Sequence, residues 1–166
     1  MMRLYLDTSV LSALARGQFD AERAACDEIK ALARSGAVAL FSSLVALEEL
    51  TRLPARYVGP HLEQYDAVGT VWSDETYEEF NPATECWDLE EDDPVLEALR
   101  VVLPDEDDAR HLAQAGLGCM DVFLTLDEKT ILRFAADIRV RVGLRVLRPS
   151  EFVAWFRRAD EQEPAE

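Results

Sequence analysis

Four short apolar runs, each followed at once by a helix-opening residue, constrain this chain more than any other feature. They are residues 2–7 (Met-Arg-Leu-Tyr-Leu-Asp), Val38-Ala-Leu-Phe41, Val122-Phe-Leu-Thr-Leu126 and Leu144-Arg-Val-Leu147. Each has the length of a strand and falls well short of a helix. Thr8 or Ser9, Ser42-Ser43, Asp127 and Pro149-Ser150-Glu151 follow them, residue types that accept the first orphan N–H groups of a helix or pre-set its first turn. Strands that alternate with helices in this way point to a parallel sheet covered on both faces, so the expected class is α/β.

The helices can be placed with similar economy. Asp20 opens one that runs to about Ser35 and is closed by Gly36, and Ser42-Ser43 cap another over Leu44–Leu53, which Pro54 ends. The signal weakens from Arg56 to Leu103, with one helix expected after Pro60 and another after Pro94. A helix starting at Asp107 or Asp108 should reach Gly116, one from Asp127 should reach about Asp137, and a last one should cover Phe152–Arg158. A chain of 166 residues with 49% hydrophobic content buries one good core and not two. The expected organisation is therefore a single domain over residues 1–158, interrupted by an acidic, proline-broken excursion at 72–93, with a frayed acidic tail at 159–166.

Charge narrows the function classes. A net charge of −16 argues against uniform electrostatic attraction to nucleic acid. The distribution is segregated, however. Residues 57–99 carry 13 acids and no Lys or Arg, whereas Lys129, Arg133, Arg139, Arg141, Arg145 and Arg148 face Asp137 alone within residues 129–148, a balance of +5. Such a strip is compatible with RNA binding, for which Arg133, Arg139, Arg141 and Arg145 are the phosphate-contact candidates, although a solvated surface has the same appearance. Cys26, Cys86 and Cys119 have no paired spacing and read as small apolar residues in a reducing compartment. The N-terminus acquires Asp7 too early for a signal-peptide core, and no apolar run is long enough to span a bilayer. The expectation is a soluble, cytoplasmic protein without a membrane partner.

Asp7 lies at a strand's carboxyl end, where α/β sheets bind ligands. Asp108 and Asp127 recur at comparable junctions. Each has a bland reading as a helix cap, worth about 1 kcal/mol, and acids are enriched at helix starts for dipole reasons. If they meet in space, they form an oxygen-rich pocket suited to a hard divalent cation, because converging carboxylates repel unless a cation is present. Helical spacing does not choose between Glu48 and Glu49, since both flank the apolar arc of Leu44, Leu47, Leu50 and Leu53. Asp121 is open between a water-mediated ligand and a turn cap. Ser9 and Thr125 could hold the carboxylates by hydrogen bonds, as metal sites commonly need. His111 reads as a packed histidine, and Trp72, Trp87 and Trp155 as packing residues before base-stacking ones.

Taken in order, these segments resemble the PIN domain family, especially the compact toxin ribonucleases of toxin–antitoxin pairs. Leu4-Tyr-Leu-Asp7-Thr8-Ser9 is similar to the family's first motif, Ser43 through Glu49-Leu50 to its second, Asp108-Ala-Arg-His111-Leu-Ala113 to its third and Asp121-Val-Phe-Leu-Thr125-Leu-Asp127 to its fourth. The closing Val146-Leu-Arg-Pro149-Ser-Glu-Phe152 also matches. Any one motif is weak; their order and context make the set. The resemblance implies a three-layer α/β/α domain with a central parallel sheet of four to five strands. It also implies an endoribonuclease dependent on Mg²⁺ or Mn²⁺, with Asp7, Glu49, Asp108 and Asp127 as catalytic and metal-binding acids. The partners it implies are an RNA substrate, a cognate antitoxin protein and a second copy of the chain. The Glu48-Glu49 doublet and the acidic excursion depart from the family pattern.

Three rival classes are distinguishable. A phosphatase of the haloacid-dehalogenase type needs a second Asp two residues after the first, where Ser9 stands. A receiver-like signalling domain needs an acidic pair near the first strand and a matching lysine. The third is a catalytically idle PIN-like protein that engages a basic partner through its acidic segment.

Overall fold

The computed structural model describes residues 1–16, 20–43, 46, 49, 50, 52–69 and 93–160. The excursion at 72–93, apart from Asp93, and the tail beyond Asp160 lie outside them, as do Glu48, Trp72 and Trp87. The elements run β1 (Met2–Leu6), α1 (Thr8–Arg16), α2 (Asp20–Arg34), β2 (Val38–Phe41), α3 (Ala55–Gly69), α4 (Pro94–Arg100), α5 (Glu106–Leu117), β3 (Val122–Leu124), a 3₁₀ turn (Leu132–Phe134), α6 (Ala135–Val142), β4 (Arg145–Leu147) and α7 (Pro149–Asp160).

The four strands form one parallel sheet in the order β2-β1-β3-β4. Alternation divides their side chains between two cores, because successive residues of a strand point to opposite faces. Leu4, Leu6, Val38, Leu40, Val122 and Leu124 face the first core, which α1, α2 and α7 close with Val10, Ile29 and Phe152. Tyr5, Phe41, Phe123 and Val146 face the second, closed by α4, α5 and α6 through Leu96, Leu112 and Ile138. The result is the expected three-layer α/β/α arrangement, with four strands.

Local chemistry explains the element ends. Gly36 takes φ +77° after α2, its N–H bonds Ala33 O and the N–H of Ala37 bonds Leu32 O, the paired closure that a left-handed glycine permits. Ser43 Oγ accepts from the Ala46 N–H at 3.4 Å, as its expected capping role requires. Three expectations need correction. The helix placed after Pro60 begins at Ala55 and carries Pro60 inside it, one turn in, where the missing N–H forfeits one bond. The helix expected from Asp127 is instead a turn followed by the 3₁₀ segment, and α6 starts only at Ala135. α5 begins at Glu106 because Asp105, not Asp107 or Asp108, is its cap: Asp105 Oδ1 accepts from the N–H groups of Asp107 and Asp108 at 2.9 and 3.3 Å.

The strand order places a topological switch point between β1 and β3. Chain connections leave in opposite directions there, and the crevice outside the carboxyl ends of those two strands is where such sheets accept ligands. Asp7 stands at the end of β1, and Thr125 to Asp127 stand at the end of β3.

Candidate active site

Asp7 is the most constrained polar residue at this crevice. Its N–H bonds Leu124 O at 3.0 Å, which locks it to β3, and its carbonyl accepts from Val10 and Leu11 to start α1. The side chain is 5% exposed and does not cap that helix. Its Oδ2 accepts instead from the hydroxyls of Ser9 at 2.5 Å and Thr125 at 2.7 Å. Each hydroxyl is itself anchored, since Ser9 Oγ accepts from the N–H of Leu126 and Thr125 Oγ1 from that of Asp127, both at 3.0 Å. Ser9 and Thr125 therefore make the hydrogen bonds to a carboxylate that the sequence suggests. Among the described residues Asp7 Oδ1 has no hydrogen-bond partner.

Asp108 is free of capping because Asp105 does that work. It is partly buried and receives the Thr130 hydroxyl. Burial pushes its carboxyl up to about 6, helped by the negative charges of Asp7, Asp105 and Asp127, while the Thr130 bond opposes the rise. Asp7, Asp108 and Asp127 are thus electrostatic neighbours. Asp127 divides its duties: Oδ1 accepts from the N–H groups of Lys129 and Thr130, both at 2.8 Å, in the turn that replaces the expected helix.

Glu49 approaches from the helical segment after β2 and ends a buried polar chain. Its Oε2 lies 3.2 Å from His111 Nε2, His111 Nδ1 lies 2.7 Å from the Tyr5 hydroxyl, and that hydroxyl donates to Ser43 Oγ at 2.5 Å. The Glu49–His111 contact is an ion pair rather than an aligned hydrogen bond, for Nε2 finds no acceptor along its N–H direction. The Thr8 hydroxyl faces Glu49 too, and it is likewise buried without a bond of normal geometry. Burial pushes the Glu49 carboxyl up, but His111, Thr8 and Arg52 outweigh it and leave the pKa lowered. Burial pulls the His111 imidazolium down, but Glu49, Asp7 and Asp108 outweigh it and leave the pKa raised.

The signs give a pH window. A raised His111 contributes stability below its ordinary value of 6.5 that disappears as pH climbs through the folded value. A lowered Glu49 contributes stability above 4.5 that disappears as pH falls through its folded value. The pair is therefore strongest between pH 4.5 and 6.5. Replacing His111 with Ala should cost about 2–4 kcal/mol, because it opens a cavity and leaves the half-buried Glu49 carboxylate without its ion-pair partner. Urea unfolding of both proteins across pH 4–9 checks this; the gap should be widest inside the window and narrow on either side.

Other candidates stand elsewhere. Asp121 precedes β3, at the amino end of the sheet, where its Oδ2 accepts from the Arg3 N–H at 2.7 Å. It is a strand-end cap and is separated from Asp7 by the length of β3. Arg145 opens β4 at that same end and lies over the Trp155 ring, 4.4 Å from its centroid. Arg139 and Arg141 occupy the last turn of α6, which feeds β4 at its start. Arg133 covers the Phe134 ring, and Trp155 packs against Phe152. Tyr5, Ser43, Asp105 and Thr130 are the members that sequence reasoning missed. Tyr5 alone left a signal, as a polar-tipped aromatic in an otherwise aliphatic strand.

Among the described residues, no three His, Cys, Asp or Glu side chains are drawn together at the spacing of a bound ion. No helix among them is long and apolar enough to cross a membrane. No protein-family model, curated protein or solved structure matches the chain.

Proposed function

We propose that the chain is a divalent-metal-dependent endoribonuclease of the PIN type, with Asp7, Asp108, Asp127 and Glu49 as its acids. The observation that carries this reading is that the negative charge of Asp7, at the carboxyl end of β1, reaches Asp108, with neither side chain engaged in capping a helix. The ordered PIN-like motifs support the same reading.

The donor set fits a hard cation. Asp7 presents Oδ1, Asp127 retains Oδ2 after its turn bonds, and the charges that most shift Asp108 are other acids, so positive charge is in deficit there. Asp7, Asp108 and Asp127 would hold Mg²⁺ or Mn²⁺, with Glu49 at the border of the group. A bound ion supplies an activated water and offsets charge on the leaving oxygen of a phosphodiester. The chain's own part is orientation: Ser9 and Thr125 fix the Asp7 carboxylate, Thr130 steadies Asp108, and the Tyr5–His111 pair holds Glu49. The same reading brings an antitoxin protein, a homodimer and a cytoplasmic setting.

An RNA-cleavage assay of the purified chain tests it. Cutting should require Mn²⁺ or Mg²⁺ and stop with chelator; metal-independent cutting rejects the mechanism. A second reading, an idle PIN-like protein binding a basic partner, is favoured by the engagement of Asp127 Oδ1 with its own turn and by the 13 acids of residues 57–99. Under that reading no condition yields cleavage.

A further inference from the structure

The geometry points to the cleft beside Asp127 as the subsite for the phosphate that flanks the cleaved bond, with Lys129 and Arg148 as the residues that contact it. This rests on the nuclease reading for the identity of the ligand, single-stranded RNA. The cleft is lined by Glu22, Leu126, Asp127, Glu128, Lys129 and Arg148. It opens at the carboxyl end of β3 and β4, so a strand whose scissile phosphate sat at the acids would run directly into it.

Its acids are already engaged. Both Glu22 oxygens accept from Ser150, at 2.9 Å from the N–H and 2.6 Å from the hydroxyl, and Glu128 pairs with Arg148. Asp127 belongs to the acid group and to its turn. Among the described residues no acid pairs with the Lys129 side chain, which is exposed and free to turn toward an anion. Arg148 is held by a partner that is itself 64% exposed, and such solvent-facing pairs are weak enough for a phosphate to displace. Glu128 thus competes with RNA for the same guanidinium. The arginines at 139, 141 and 145, at the other end of the sheet, cannot serve this strand.

The experiment uses a short fluorescein-labelled single-stranded RNA of mixed sequence and full-length protein carrying Asp7→Asn, so that binding is read without cutting. Fluorescence anisotropy is followed across a salt series for this background alone and with Lys129→Ala, Arg148→Ala, Glu128→Gln or, as a control, Arg139→Ala. Lys129→Ala and Arg148→Ala should each weaken binding about 5–10-fold and flatten the slope of log K against log salt by about 0.7, the value for one lost phosphate contact on a single strand. Glu128→Gln should tighten binding, and Arg139→Ala should change nothing. Unchanged affinity and slope in the first two variants, weaker binding by Glu128→Gln, or no RNA binding by the background overturns the assignment. Failure of the wild-type chain to cleave RNA overturns the nuclease reading separately, because the binding measurement does not depend on cutting.

Discussion

Replacing Asp7 with asparagine should, under the proposed nuclease reading, abolish RNA cleavage, by at least about 10²–10³-fold, the cost typical of removing one group aimed at developing charge. The change keeps shape and removes charge, so the fold should survive it. Asn has an oxygen that can still accept from Ser9 and Thr125, and both hydroxyls are held independently by backbone N–H groups. Circular dichroism and the unfolding midpoint should therefore match the parent while turnover disappears. Cleavage at more than a tenth of the parental rate would remove Asp7 from the chemistry.

Asp108→Asn should move activity and stability in opposite directions. Loss of the carboxylate should depress cleavage about as severely as the change at Asp7. Stability should rise, because the native state holds this carboxyl at about 6 against an ordinary 3.8, first through burial and then through Asp7, Asp105 and Asp127. An acid raised in the folded state supports the fold while protonated and loses that contribution as pH rises through the folded value. The variant's advantage should open between pH 3.8 and about 6 and stay constant above. Because Asp108 is only partly buried, the full shift is discounted for solvent screening to about 1 kcal/mol, or roughly 2–4 °C in Tm for a chain of this size. Mn²⁺ should raise the Tm of the parent more than that of the variant, since only an ion bound to the native state stabilises it. A Tm below the parent's at neutral pH would contradict the assigned crowding of negative charge.

The division between what the residues disclosed and what they hid follows interaction range. All four strands were readable because Leu4, Leu40, Val122 and Val146 sit in short apolar runs whose period and flanking residues are local properties. The boundary differences follow competing hydrogen bonds, long-range at the end of β3 and local at Asp105 and Asp127. Thr125 still gives its N–H to Leu147 O, but the Leu126 N–H turns to Ser9 Oγ, and β3 ends at Leu124. Asp127 looks like a helix opener but closes a tight turn. Asp105 outcompetes its neighbours as a cap, although three more acids follow it. The acids Asp7, Asp108 and Asp127 could be nominated from position alone, whereas Asp121 could not be excluded without knowing which end of β3 it occupies. The Tyr5–His111 contact joins residues 106 positions apart, beyond any sequence window.

The two hydroxyls that hold Asp7 come from widely separated parts of the polypeptide: Ser9 is two residues away and Thr125 is 118 residues away. During synthesis, β1 emerges early yet has no β3 beside it until residues 122–124 have been made, and non-local pairings of this kind form late. A nascent chain on the ribosome therefore carries its first carboxylate for most of translation without the partner loop that would aim it. Under the nuclease reading, the molecule cannot attack the message that encodes it until β3 and the loop behind it have left the ribosome and docked against β1.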